Sequence, residues 1–253
     1  MPYQELTVKK IEKWLGLKKK DVPKHLILYA SWPWPLKERM KEVRNYLKKP
    51  KPKGLGLSNF WVGEINRKKV GFMLVYGHGM AADMLYLLSK MGVKYIYQIG
   101  SIGALQSEAR IYDLIIPQTA IKFEGLHKHP IFDKKALHCN KELLELTKKC
   151  LEKMDFKNFY IGKTMSIDFI FAETKERVKK WSRLGFLGID METATTYSMS
   201  NSLGIKTIAI LRVSDNLVRK NELMADLNTK GKRGAELKRT VKSIIIELIS
   251  KLD

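Results

Sequence analysis

The sequence predicts one α/β domain built on a central mixed, twisted sheet flanked by helices. Three observations predict it. Apolar runs of strand length alternate along the chain with amphipathic runs of helical period, glycines and polar residues punctuate the ends of the apolar runs, and no repeat or linker interrupts the alternation. With 253 residues, 45% of them hydrophobic, the chain is long enough to bury a sizeable core. The domain is expected to span residues 1–253, with a basic segment of about 1–24 ahead of the first strand.

Each element follows in order. Residues 5–15 carry a helical pattern, and HLILYA at 25–30 is an apolar run that reads as a buried strand. Pro35 has the fixed φ that suits a first helical turn, so a helix starts there. SNFWVGEI (58–65) and VGFMLVY (70–76) read as two strands joined by Asn66-Arg67-Lys68-Lys69 in a hairpin. A helix over 83–90 ends near Gly92, and YIYQIG (95–100) is a buried strand. Further strands are expected at 113–117, 158–164 and 206–213, and helices around 140–153, 174–184 and 192–203. The last helix, 234–251, sets Leu237, Val241, Ile244, Ile245, Leu248 and Ile249 on one stripe.

The formal charge of +21 is unevenly placed. Residues 1–53 hold 15 Lys and Arg against 5 Asp and Glu, a net +10, with its densest points at 18–20 and 48–53. Such a surface attracts nucleic acid, acidic membrane faces or phosphorylated ligands, but no nucleic-acid motif or regular aromatic interleaving accompanies it. A lysine-rich solvated face is the simpler reading, and nucleic acid is not an expected partner. No apolar run approaches the ~20 residues that cross a bilayer, and the N-terminus lacks a signal-peptide core, so a cytoplasmic protein without a membrane partner is expected. Cys139 and Cys150 lie about 16 Å apart by helical rise, too far for a disulfide, which fits a reducing compartment. No zinc, haem or dinucleotide pattern appears, and His127, His129 and His138 have no metal-ligand spacing, so no metal and no cofactor are expected.

In an α/β sheet, ligands bind beyond the carboxyl ends of strands. Three polar turns are expected there. Gly77 and Gly79 bracket His78 after one strand, Gly100, Ser101 and Gly103 follow another, and Ser214-Asp215-Asn216 follow a third. Asp190 and Glu192 precede a helix of small residues. Each has a plain structural alternative. Glycine after a buried strand is usually a turn, Asp190 could cap the helix beside it, His78 could be a packed turn residue, and Met80 and Met191 could be core fillers.

The order GHGM, GSIGA, DMETA and VSD, over about residues 25–216, resembles the nucleoside phosphorylase superfamily. That family comprises purine nucleoside and uridine phosphorylases and nucleosidases. DMETAT and the FEG at 123–125 look nearest to AMP nucleosidase-like and uncharacterised phosphorylase-like members. The resemblance implies a nucleoside phosphorylase-like fold, a nucleoside or nucleotide substrate, and a homo-oligomer, dimer or hexamer. It also implies site roles. Glu192 would accept the ribose hydroxyls, with Asp190 supporting it and Met191 and Met80 against the sugar. Asp215 would protonate the purine, as the catalytic acid, and Phe169, Ile170 and Phe171 would wall the base. Ser101, Gly100, Gln98 and Lys37 would form the pocket for phosphate, an optional co-substrate, or for another nucleophile. Two departures weaken that pocket. The turn after the first strand reads ASWPWPLK, without the family's arginine, and Gln98 stands where an arginine is usual. Neither Gln nor Lys reproduces a guanidinium's planar fork. Phosphorolysis and hydrolysis therefore both stay open, as do AMP nucleosidase-like and uridine phosphorylase-like activities. A non-catalytic nucleoside-binding protein and a basic nucleic-acid-binding protein are the readings of a different class.

Overall fold

A computed structural model describes residues 5–31, 35–53, 59–122, 137–220, 222 and 232–252. Trp32 to Trp34, the FEG at 123–125, His127 and His129 lie outside these residues. Among the described residues, nine strands form one mixed sheet in the order β2-β3-β4-β1-β5-β8-β7-β6-β9. The strands are β1 (His25–Ala30), β2 (Lys48–Pro52), β3 (Phe60–Ile65), β4 (Lys68–Val75), β5 (Tyr95–Ala104), β6 (Leu114–Lys122), β7 (Phe159–Ser166), β8 (Gly188–Asp190) and β9 (Lys206–Asn216). The helices are α1 (Val8–Leu15), α2 (Leu36–Tyr46), α3 (His78–Met91), α4 (Lys141–Lys153), α5 (Lys175–Arg183), α6 (Thr193–Ser202) and α7 (Lys232–Lys251).

β9 also pairs with β5, so β5, β8, β7, β6 and β9 close into a ring, from which β1, β4, β3 and β2 continue as an open wing. Ring closure is what the sequence does not announce. The β5–β9 register runs in parallel from Tyr95–Lys206 to Ala104–Asn216, with one irregularity between Ile102 and Gly103. β5 thus continues to Ala104, through the GSIGA read above as a turn, and β9 continues through Ser214 and Asp215. Both extensions are corrections with one cause: glycine and polar residues can occupy a strand whose neighbours pair with it on both sides.

Local chemistry sets the helix limits. Thr7, Asn140 and Thr174 each accept a hydrogen bond from the third residue onward and cap α1, α4 and α5. α3 starts at His78, earlier than expected, because Gly77 takes φ +76° there and opens directly from β4 into the helix. The hairpin turns on Asn66 and Arg67 alone, both at positive φ, while Lys68 and Lys69 belong to β4. β2 and β8 were not expected. One is a lysine–proline run and the other is three residues long.

Alternation along the strands separates two cores. Ile27, Phe72, Tyr97 and Ile99 face α2 and α7, packing with Val43, Tyr46 and Ile244. Leu26, Leu28, Met73 and Ile96 face α1, α3 and the end of α6. Cys139 and Cys150 are free and buried. No described helix is long and apolar enough to cross a membrane.

Candidate active site

The acids of DMETA sit where β8 hands over to α6, and both are buried. Asp190 is a junction. Its Oδ1 accepts from Ser166 Oγ of β7 at 2.5 Å, and its Oδ2 accepts from the Thr193 amide at 3.0 Å, from the Thr193 hydroxyl, and from Gln98 Nε2 of β5 at 3.4 Å. The bond to the amide three residues on is a helix-capping geometry. Asp190 thus supports the site from beneath.

Glu192, equally buried, is held by a different element. Its Oε1 accepts from the Gly77 amide at 2.6 Å, which ties α6 to the β4–α3 turn. Burial and the charge of Asp190 push the Glu192 carboxyl well above the usual carboxylate range. Burial also raises Asp190, against the pull of its Ser166 and Thr193 donors. Met191 precedes Glu192 and Met80 lies three residues beyond Gly77, both half-buried, so the structure brings Glu192, Met191 and Met80 to one neighbourhood.

Asp215 approaches from β9. Gly103 of β5 has Ile189 of β8 on one side and Asp215 of β9 on the other. Two strand spacings, about 10 Å, therefore separate the backbone beside Asp190 from that of Asp215. That is the span of a nucleoside's sugar and base together. Burial raises the Asp215 carboxyl, and Ser214 Oγ donating at 2.5 Å opposes the rise. Glu173, after β7, is pushed up to about 7 by burial and by the charge of Asp215.

The expected base wall is open. Phe169 is 54% exposed and Phe171 85%, with Ile170 intermediate between solvent and core. Behind it, His78 Nε2 lies 3.4 Å from Asp168 Oδ1, and Lys122, at the end of β6, donates to Thr195 Oγ1 at 3.3 Å. Burial lowers Lys122 to about 8, and burial with Lys122's charge lowers His78. Lys122 escaped the sequence reading, although a lysine closing an apolar strand was its available signal.

The residues expected around phosphate are not brought together. Gln98 is fully buried and turned towards α6, donating to Thr193 Oγ1 at 2.7 Å. Ser101, an odd number of residues away on β5, points to the opposite face and accepts from Arg212 Nη2 at 2.9 Å. Gly100 is pinned under β1, where a Cβ would meet the Ala30 carbonyl oxygen at 2.4 Å. Lys37 lies exposed in the first turn of α2. Among the expected residues, then, the sugar group assembles and the phosphate group disperses. His138, for its part, bonds Thr119 Oγ1 at 3.0 Å through Nδ1.

The sequence profile described as the phosphorylase superfamily matches residues 30–250. The chain belongs to this superfamily. Among relatives of this phosphorylase superfamily member, a DeoD-type purine nucleoside phosphorylase of Clostridium novyi (strain NT) is 30% identical over 164 residues, 59% of this chain and 65% of that protein. A DeoD-type 2 purine nucleoside phosphorylase of Vibrio cholerae is 30% identical over 181 residues, 66% of this chain and 71% of that protein. The match thus spans less than two thirds of the Clostridium protein's length. In solved structures, the uridine phosphorylase from Vibrio fischeri ES114 superimposes with a TM-score of 0.77 at 17% identity, over 93% of this chain and 95% of that one. The superfamily's fold is therefore the fold of this chain.

Proposed function

We propose that this phosphorylase superfamily member cleaves the N-glycosidic bond of a nucleoside, with a purine base. The single observation that carries the reading is Glu192, a buried carboxyl anchored by the Gly77 amide at the β4–α3 turn, whose two oxygens suit a vicinal diol. Cleavage builds positive charge on the sugar and negative charge on the departing base. Glu192 and the methionines grip the sugar, and Asp215, whose carboxyl burial pushes up, donates a proton to the base. The DeoD-type purine nucleoside phosphorylase relatives support purine.

The attacking group has two candidates of the same geometry. The names of the relatives favour phosphate, whereas the dispersal of Gln98 and Ser101 to opposite faces favours water. Incubation with inosine, adenosine, guanosine, uridine, methylthioadenosine and AMP, with and without phosphate, separates them by the sugar released. Ribose 1-phosphate marks phosphorolysis, and free ribose marks hydrolysis. Purine release from none of these substrates, by folded protein, rejects the enzymatic reading and leaves a nucleoside-binding protein in its place.

A further inference from the structure

Four adjacent parallel strands, β4, β1, β5 and β9, each carry a lysine at the amino end: Lys69, Lys24, Lys94 and Lys206. The register lines them up. Lys24 stands one residue ahead of the pairs His25–Val70 and His25–Tyr95, as do Lys69 and Lys94, and Lys206 pairs with Tyr95. With neighbouring strands about 4.8 Å apart, the four side chains leave the backbone along a row roughly 14 Å long. Lys18 to Lys20 join it, because Lys69 Nζ donates to the Lys20 carbonyl at 3.4 Å. Like charges side by side on neighbouring strands oppose pairing, and acids compensate only part of the row. Glu64 stands opposite Lys69 on β3, and Glu142 holds Lys206 at 2.7 Å. Over residues 5–24, 64–69 and 84–94, which build this end, twelve Lys and Arg stand against four Asp and Glu. Lys18 to Lys20, Lys24, Lys69 and Lys94 are all exposed. Beside them, in the last turn of α1, Trp14 is 56% exposed.

We propose that this end of the sheet docks on an acidic lipid surface, with the lysine row against the headgroups and Trp14 at their depth. Clustered lysines are drawn to the negative potential of such a surface, and an indole settles at the headgroup layer. The residue types favour lipid over nucleic acid. Eleven of the twelve cations are lysines, point charges suited to a diffuse anionic surface, and Arg67 alone offers a planar fork for a single phosphate or base. One exposed indole is also too few to stack successive bases. The attachment is peripheral, since no described helix can cross a membrane. It leaves the candidate active site free: Gly77 follows the carboxyl end of β4 and Asp215 lies near that of β9, at the far end of the same strands. The sequence alone gave no reason to expect a membrane partner, because these lysines are scattered along the chain and only strand register lines them up.

The test reads binding rather than turnover, so its failure is distinct from failure of the enzymatic reading. The full chain is sedimented with phosphatidylcholine vesicles, with and without about 30% phosphatidylserine, at about 0.15 M salt. Binding to the phosphatidylserine vesicles is expected to be at least about tenfold tighter. The combined Lys24→Ala, Lys69→Ala and Lys94→Ala variant is expected to lose at least about tenfold of that binding, and Trp14→Ser about threefold. Lys175→Ala, Lys179→Ala and Lys180→Ala together remove the same charge from α5, and are expected to cost less than about threefold. A complementary measurement needs no variant: acetylation of Lys24, Lys69 and Lys94, followed by peptide mass spectrometry, is expected to slow at least about threefold on phosphatidylserine vesicles. No preference for phosphatidylserine, equal losses in the two triple variants, or acetylation unchanged by vesicles each overturns the proposal. So does tighter binding to a single-stranded polyuridine that depends on the same three lysines, which gives this end to nucleic acid.

Discussion

Asp190 and Glu192 stand two residues apart and are held by different partners, so single substitutions separate their roles. Glu192→Gln keeps the size and the acceptor that the Gly77 amide needs, but replaces one of the two carboxyl oxygens that would bind the sugar hydroxyls with an amide nitrogen. Its kcat/KM on the best substrate is expected to fall at least about tenfold, or about 1.4 kcal/mol of transition-state stabilisation, with an unchanged Tm. Steady-state kinetics beside a melting curve check it, and unchanged kinetics remove Glu192 from the site. Glu173 makes a pH prediction. Its folded value of about 7 exceeds its ordinary 4.5, so the folded state holds this proton more tightly than the unfolded chain. The stability it contributes is present below about pH 4.5 and is lost as pH rises through about 7. The whole loss is worth about 3 kcal/mol. In Glu173→Gln the decline in Tm between pH 5 and 8 is expected to flatten, and parallel curves for parent and variant would remove Glu173 from the titration.

Elements meet at Asp190. Its side chain gathers donors from β7, α6 and β5 into one buried junction. Asp190→Ala strands those donors without an acceptor, and is expected to cost about 3–5 kcal/mol, a fall of roughly 10 °C in Tm. A melting curve within 2 °C or so of the parent's would contradict that role. This scale also shows what the sequence made legible. Long apolar runs such as HLILYA and KTIAILRV, and the stripe on α7, were readable because burial on both faces or on one stripe leaves a periodic record. β2 was not, because Lys48–Pro52 resembles a solvated charge run and becomes a strand only by pairing with β3. In the site, Glu192 and Asp215 were nameable from motif order, and Thr193, three residues beyond Asp190, had the spacing of a capping partner. Gln98 and Ser101 share one motif in sequence, yet the pleat of β5 sends them to opposite faces. Arg212 meets Ser101 only through the β5–β9 register, which no local pattern encodes.

The whole molecule leaves its expected base wall uncovered, with Phe171 85% exposed. A second subunit closing over Phe169 and Phe171 would bury them, and the family resemblance implies a homo-oligomer. Light scattering at micromolar concentration in moderate salt is expected to give a dimer or hexamer, and Phe171→Ser is expected to weaken it; a strictly monomeric mass counts against this assembly. The ring has a further consequence at this scale. Because β9 returns to β5, that end of the sheet offers no open rank of amides and carbonyls to another chain. The exposed rim among the described strands is β2, and it is written Lys-Lys-Pro-Lys-Pro. Its prolines have no amide to donate, and its lysines repel an approaching copy of themselves. The same residues that make the chain so basic therefore act as a fence: they keep one sheet from zipping onto the next while the protein is crowded among its own copies.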